Sequence, residues 1–328
     1  MKIIVDAFGG DNAPLEILKG SAKAVEELGV EILLCGSADK IRACAKENSI
    51  SLKKMEILEA EAVFEMEYDP RSVLKEHSNT SLAVAMKALA EGKGDAFVSA
   101  GSTGAIVVGA TFIVKRIKGV KRTAIASVMP SDKGPFMLLD SGANIDCKPE
   151  HLVQFATMGS IYMNRIMGYE NPSVGLANIG VEETKGTQLQ LDTYALLNES
   201  KLNFIGNAEV RDIAAGVADV IVADGFTGNV ILKMYEGVAK MLMGNIKAVF
   251  KKNVLSMLSY LGVKKGMDSF KAKMDYKEYG GAVLLGVTKP VIKAHGSSDA
   301  RAFKNAIRQA VNCVDKNVIT VITENIGE

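Results

Sequence analysis

The chain of 328 residues has little of four things, and each shortage removes a class of function. Net charge is the first: 39 Lys and Arg stand against 38 Asp and Glu, a formal +1, with an isoelectric point near 7.6. No broad basic field of the kind that drives nucleic-acid affinity is present, so no nucleic-acid partner is expected. Cysteine is the second. Cys35, Cys44, Cys147 and Cys313 are scattered and unpaired in spacing, which excludes a zinc framework or a disulfide scaffold and points to a reducing, cytoplasmic setting. The three histidines, His77, His151 and His295, lie far apart, and there is no HExxH helix, no GxSxG elbow and no Walker A loop. Metal and activated-serine hydrolases are thereby set aside. A dinucleotide fingerprint is also missing, because "AFGGDNAP" has adjacent glycines and a proline where that motif needs spacing and a helix, so no cofactor is expected. Proline, finally, occurs 7 times, and no Pro/Ser linker or low-complexity tract divides the chain.

Long uncharged runs are scarce as well. One, "AFVSAGSTGAIVVGATFIV" from Ala96 to Val114, has the length of a membrane span. The "SAGSTGA" within it suits a lipid-facing helix poorly, and a buried strand, a loop and a buried helix account for the same residues.

What the sequence does contain is a repeating grammar. Apolar, β-branched runs alternate with helical patterns: "KIIVDA" then 17–28, "VEILLCG" then 39–47, "DAFVSA" then 104–115. This alternation predicts a single α/β domain over 1–328 with a largely parallel central sheet. With 48% hydrophobic residues the chain can bury a sizeable core.

Five predicted strands end in polar or glycine-rich turns: "VDAFGGDNAP", "VSAGSTGA", "LLDSGANIDCKPE", "LANIGVEETKG" and "VADGFTGN". In a parallel sheet these turns are expected to converge on one rim. Glycines there permit close backbone approach, and the helix starts that follow present unpaired N–H groups, so the rim is read as an anion site. The candidates are Gly9, Gly10 and Asp11 in the first turn, Gly101, Ser102, Thr103 and Gly104 in the second, and Asp224, Gly225, Thr227 and Gly228 in the last. Each turn taken alone is explained as well by ordinary strand-to-helix connection.

Some side chains carry more chemistry. Lys185, beside Glu182 and Glu183, is either a point charge for phosphate or an exposed lysine paired with its neighbours. Asn144 and Asn229 are either amide donors to an oxyanion or turn and capping residues. His295 ends the predicted strand "PVIKAHG", where it is either an acid or base near neutrality or a hydrogen-bonded structural residue, with Ser297 in the capping position after it. His77 and His151 receive no catalytic role.

The segment 245–275, "NIKAVFKKNVLSMLSYLGVKKGMDSFKAKMD", places Ile246, Val249, Phe250, Leu258 and Leu261 at helical spacing, with seven lysines and two aspartates. Such a basic amphipathic stretch lies on an anionic membrane surface or forms a dimer contact, and its lysines are also suited to an acidic carrier protein.

Taken in order, "VDAFGGDNAP", "SAGSTGA", "LDSGANIDCKPEHLVQFA", "VGLANIGVEETKG", "ADGFTGNVILK" and "YGGAVLLGV…VIKAHGSSDARA" resemble the motifs of the phosphate acyltransferase (PlsX) family, over 5–307. Ser102 stands where that family commonly has Asn, and Val210 where Gly or Ala is usual. The resemblance implies an enzyme that moves a fatty acyl group from acyl carrier protein to inorganic phosphate, making acyl phosphate for a membrane glycerol-3-phosphate acyltransferase of phospholipid synthesis. It implies a homodimer, peripheral at the membrane, with the three-layer α/β/α fold shared by phosphotransacetylases and isopropylmalate dehydrogenases. Lys185 and Asn229 are then expected at the phosphate and at the thioester oxygen, with His295 nearby. The rival activities on that fold are a β-decarboxylating nicotinamide dehydrogenase and a phosphotransacetylase-like enzyme. A dehydrogenase would need a magnesium-binding aspartate cluster, which the sequence does not offer; a non-catalytic scaffold would not need the elaborated turns.

Overall fold

A computed structural model describes residues 1–274 and 280–326. Asp275, at the end of the basic segment, and Glu328, at the end of the expected domain, lie outside the described residues. Eleven strands form one sheet: β1 (Lys2–Asp6), β2 (Glu31–Cys35), β3 (Met55–Leu58), β4 (Ala96–Ser99), β5 (Ala124–Met129), β6 (Phe136–Leu139), β7 (Ser173–Asn178), β8 (Asn203–Glu209), β9 (Val220–Val222), β10 (Ala282–Leu285) and β11 (Val291–Lys293). The helices are α1 (Leu15–Leu28), α2 (Ala38–Glu47), α3 (Ser81–Ala90), α4 (Thr103–Gly109), α5 (Pro149–Tyr162), α6 (Gln188–Asn198), α7 (Gly225–Lys251), α8 (Val254–Met274), α9 (Ala300–Asp315) and α10 (Val318–Ile326). The uncharged run at 96–114 is thus β4, a turn and α4, which continues as a π-helix over Ala110–Lys115. No helix among the described residues is long and apolar enough to cross a membrane.

The strands are apolar on both faces because both are covered. Ile3 and Val5 point into a core with Ile17 and Leu18 of α1 and Phe303 and Ile307 of α9, which extends to Leu152 and Phe155 of α5. Ile4 and Phe97 point the other way, among Leu82 and Met86 of α3 and Ile106 of α4. On that second face, at the far end of the sheet, Phe136, Leu138 and Ile221 meet Ile231 of α7. The result is the expected three-layer α/β/α arrangement.

Strand order is β3-β2-β1-β4-β11-β10-β5-β6-β9-β7-β8. The left block β3-β2-β1-β4-β11 is parallel throughout, and so is the right block β6-β9-β7-β8. Between them β11–β10, β10–β5 and β5–β6 are all antiparallel. Three reversals leave the two blocks running in opposite directions. The expected convergence of five turns on one rim is therefore corrected: the turns after β1 and β4 leave one end of the sheet, and those after β6, β7 and β9 leave the other. The short links 130–135 and 286–290 are too brief for the crossover that a parallel pair requires and account for two of the reversals, while the third is the long-range antiparallel pairing of β10 with β5.

Helices α7 and α8 pack on each other, joined by the edge-on contact of Phe250 with Tyr260, ring centroids 5.2 Å apart. Only Gly225, Gly228 and Ile231, all in the first two turns of α7, are buried along this helix. Val249, Leu258 and Leu261 are exposed.

Candidate active site

Two buried aspartates at strand ends build the turns. Asp6, last in β1, accepts the Ser81 hydroxyl at 2.6 Å, the Ser99 hydroxyl at 2.8 Å and the Phe8 amide at 3.3 Å. Gly9 packs so closely on this group that a β-carbon would come within 2.5 Å of Asp6 Oδ2 and 2.7 Å of the Gly101 nitrogen. Gly10 follows with φ near +101°, and the Asp11 amide donates to the Gly296 carbonyl at 2.9 Å. The turns after β1, β4 and β11 thus touch one another, as expected for adjacent parallel strands.

Asp140, directly after β6, does the same at the opposite end. Its Oδ1 accepts the amides of Ile125 (2.9 Å), Gly142 (3.2 Å) and Ala143 (3.1 Å), and its Oδ2 those of Ala143 (3.1 Å) and Asn144 (2.8 Å). Desolvation raises the pKa of both carboxyls, against the pull of these donors. Asn144 gives its two amide hydrogens to Asp140 Oδ2 (2.9 Å) and the Thr123 carbonyl (2.7 Å). The donors expected to face an oxyanion are spent on holding the loop, so Asn144 is a scaffold residue.

Helix α7 docks onto that loop. Asp224 is its N-cap and Gly225 its first residue, so what reads as a turn in "DGFTGN" is the first turn of a helix. The Gly225 amide donates to the Asn144 carbonyl at 2.7 Å. A β-carbon on Gly228 would overlap the Asp140 carbonyl oxygen, so this glycine is required for close approach. Asn229 follows, exposed, with its side chain lying over Gly142.

The opposed ends of the sheet meet across its face. Helix α4 runs from the β4 turn toward the Asp140 loop, and Ala143 of that loop packs into the α3/α4 core. A cavity of about 420 Å³ lies between α4 and α7. Helix α4 lines it with Thr103, Gly104, Val107 and Val108, beside Pro70; the loop after β6 contributes Ser141, Gly142 and Ala143; and α7 contributes Asn229 and Lys233. Gly101 and Ser102 are buried beneath α4.

The remaining candidates lie apart. Lys185 is exposed in the loop after β7, which Asn178 closes by donating to the Lys185 carbonyl at 3.0 Å. That loop shares the sheet end of Asp140 and Asp224, but Lys185 is not among the described residues lining the cavity. His295, past the end of β11, accepts the Ser297 amide at Nδ1 (3.2 Å), with the Ser297 hydroxyl 2.9 Å from the same nitrogen. Desolvation lowers its pKa first; Glu236 and Asp11 oppose this, while Lys293 and Lys233 add to it. The last pair is what sequence reasoning missed. Lys293, in "PVIKAHG", has its ammonium pulled down to about 8 by burial, with Asp11 opposing and Lys233 reinforcing the shift. A lysine inside an otherwise apolar strand was the available signal.

The α/β/α fold with its eleven-stranded sheet is shared with solved phosphotransacetylases. The EutD phosphotransacetylase from Staphylococcus aureus superposes with a TM-score of 0.62 at 16% identity, over 96% of this chain and 94% of that one. A branched-chain phosphotransacylase from Enterococcus faecalis does so with 0.59 at 14%, over 96% and 99%. At the level of sequence, a family model described as a fatty acid synthesis protein matches residues 1–321. The phosphate acyltransferase of Bacillus licheniformis is 47% identical over 330 residues, covering 100% of this chain and 99% of the relative. That of Clostridium acetobutylicum is 44% identical over 329 residues, with the same coverage. The chain belongs to the phosphate acyltransferase family, and the chemistry it performs is acyl transfer to phosphate.

Proposed function

We propose that the acyl donor is the thioester of acyl carrier protein, and that the acyl phosphate formed feeds phosphatidic acid synthesis through a membrane glycerol-3-phosphate acyltransferase. The observation that carries this reading is the two-sided cavity, apolar along Val107 and Val108 and polar along Asn229 and Lys233. An acyl thioester lying beside an anion needs that division. A phosphate oxygen attacks the thioester carbonyl, forming a C–O bond; the C–S bond breaks, and sulfur leaves with its electron pair as the pantetheine thiolate. The proton of hydrogen phosphate passes to that thiolate or to water. A thiol with a pKa near ~8.5 leaves readily, so the main work is positioning two anionic reactants. Asn229 donates to the developing oxyanion, Lys185 supplies positive charge from the β7 loop, and His295 with Ser297 borders the phosphate from the β11 end.

The chain acts as one catalytic unit over 1–328, cytoplasmic, as a homodimer, with the segment at about 245–275 meeting the membrane surface. Support comes from the exposed apolar residues of α7 and α8 and the lysines among them.

The test is thiol release from acyl carrier protein thioesters and from coenzyme A thioesters, with and without phosphate, and with added nicotinamide cofactor. Phosphate-dependent release that favours the carrier protein supports the reading. Release that favours coenzyme A points to a phosphotransacetylase-like enzyme. Lys185→Ala that folds and keeps the wild-type phosphate response removes Lys185 from the mechanism.

A further inference from the structure

A second cavity, of about 600 Å³, lies between the C-terminal half of α1 and the segment that leads into β3, and it shares no lining residue with the groove between α4 and α7. Small-molecule sites run from roughly 300 to 1,000 Å³. Among its lining residues Val25, Ile50 and Met55 are half-buried and pack against the main core, while Lys23, Lys53 and Lys54 are exposed. The cavity is therefore apolar toward the core and basic toward solvent. Among the described residues none of these three lysines has an ion pair; Lys19, which also lines the cavity, is held by Glu16 at 3.1 Å. Glu26 is the only carboxylate among the described residues that line it.

Two positions in this lining carry a side chain where the backbone favours glycine. Ser49 follows α2 with φ near +54°, and the amides of Ser49 and Ile50 donate to the carbonyls of Lys46 (3.4 Å) and Ala45 (2.8 Å). That pair of bonds ends a helix and is ordinarily closed by glycine. At the end of α1 the chain does use glycine, Gly29 with φ near +71°. Lys54 is third in the turn closed by the Met55 amide on the Leu52 carbonyl at 3.0 Å, with φ near +59°, again a place for glycine or asparagine. Left-handed backbone is disfavoured for residues with a β-carbon, and like charges around one cavity repel. An anion seated among the lysines removes the repulsion and gives the retained side chains a use.

We propose that this cavity binds an organic polyphosphate of the nucleoside diphosphate class, with its phosphates among Lys23, Lys53 and Lys54 and its base against Val25, Ile50 and Met55. Charge selects the class. A phosphate monoester brings about two negative charges at neutral pH, so three ammoniums without a protein partner call for a chain of phosphates. The half-buried apolar side chains call for a compact uncharged body beside them. Position separates this site from the acyl transfer. Met55 is the first residue of β3, and the Ile32 amide of β2 donates to the Lys54 carbonyl at 3.0 Å, so the cavity lies where these parallel strands begin. The turn with Gly9, Gly10 and Asp11 leaves the end where they finish. The ligand is accordingly an effector and not a reactant.

Calorimetric titration of ADP into the full chain, with adenosine, pyrophosphate and dodecyl phosphate as comparison ligands, tests this. ADP is expected to bind saturably, and adenosine and pyrophosphate at least about tenfold more weakly, because each keeps only one half of the contacts. Lys53→Glu with Lys54→Glu, and separately Lys23→Glu on a different element, should each weaken ADP at least about tenfold with thermal midpoints near that of wild type, since all three lysines are exposed. Lys54→Gly should weaken ADP without lowering the thermal midpoint, because glycine takes the left-handed backbone freely; a lysine kept for structure predicts the reverse. Asn229→Ala, in the groove between α4 and α7, should bind ADP as wild type does. Unchanged ADP affinity in both folded lysine variants overturns the site, and so does pyrophosphate binding as tightly as ADP. Tighter binding of dodecyl phosphate than of ADP would give the cavity to an acyl chain, and loss of ADP binding in Asn229→Ala would move the nucleotide to the groove; either result overturns the proposal. Every one of these failures leaves acyl transfer to phosphate standing, since none of the three lysines takes part in thiol release.

Discussion

Asp224 accepts two hydrogen bonds from one residue, Thr227: the amide at 2.9 Å and the hydroxyl at 2.7 Å. This closes the first turn of α7 on the Asp140 loop and sets the helical position of Asn229, two residues further on. Asp224→Ala should destabilise the protein by about 1 kcal/mol and lower kcat, because Asn229 loses its fixed position. Asp224→Asn should restore most of both, since a capping oxygen remains. Gly228→Ala should cost more, about 2 kcal/mol, because its methyl meets backbone at Asp140 that cannot rotate away. Urea denaturation of the three variants orders them; a neutral Gly228→Ala would show that the docking of α7 is looser than described.

Asn229 and Asn144 are the same residue type in two different conditions. Asn144 has committed both amide hydrogens to Asp140 and Thr123, whereas the described residues give Asn229 no side-chain hydrogen bond. Asn229→Ala should therefore leave the thermal midpoint nearly unchanged and cut kcat about 100-fold, with KM for phosphate little affected. Asn144→Ala should behave in the reverse sense, losing stability first. Equal stability losses in the two variants would remove the distinction.

The contrast shows where the sequence was legible. Strand and helix alternation was visible because β1, β2 and β4 are apolar on both faces, and "KIIVDA" or "DAFVSA" has no other use in a water-soluble core. Glycine-rich turns were visible for the same local reason. Their grouping was not, because it depends on the relative direction of β5 and β10, which pair antiparallel although about 150 residues apart in sequence, and no local pattern records that pairing. The links 130–135 and 286–290 held only the two hairpin reversals. Asp140 was hidden inside "LLDSGAN", where nothing local tells a loop's hub from its surface. Lys293 was hidden because one lysine in a strand ordinarily faces solvent at a sheet edge, and only the strand order shows β11 to be central.

The position of Lys293, half-buried between the fully buried Ile292 and Ala294, gives a stability signature with a definite sign. Its folded transition is pulled down to about 8 from an ordinary value of 10.5. Below pH 8 the lysine is charged in both states and the folded state bears the full desolvation cost. Between those two values the unfolded chain binds more protons, so the contribution of this group to stability rises with pH. Lys293→Met should be more stable than wild type at pH 7 by on the order of 2 kcal/mol, a margin that shrinks toward pH 10. Urea midpoints at pH 7 and 9.5 measure it. A less stable Lys293→Met at both values would show that the contact of its ammonium with the Ala294 carbonyl outweighs the desolvation cost.

The hairpin of α7 and α8 leaves Val254, Leu255, Leu258 and Leu261 exposed, with Lys251, Lys252, Lys264 and Lys265 nearby in sequence. Membrane-surface binding of this segment requires both components: apolar side chains that enter the acyl boundary and lysines that meet anionic headgroups. Leu258→Glu with Leu261→Glu should abolish flotation with anionic vesicles while the elution volume on size exclusion stays that of wild type. Raising the salt should weaken wild-type flotation without abolishing it, because only the headgroup attraction is screened. An elution shift to the monomer with flotation retained would assign these leucines to the dimer contact instead. Thiol release in detergent-free solution should be unchanged in the double variant, since neither leucine lines the cavity between α4 and α7.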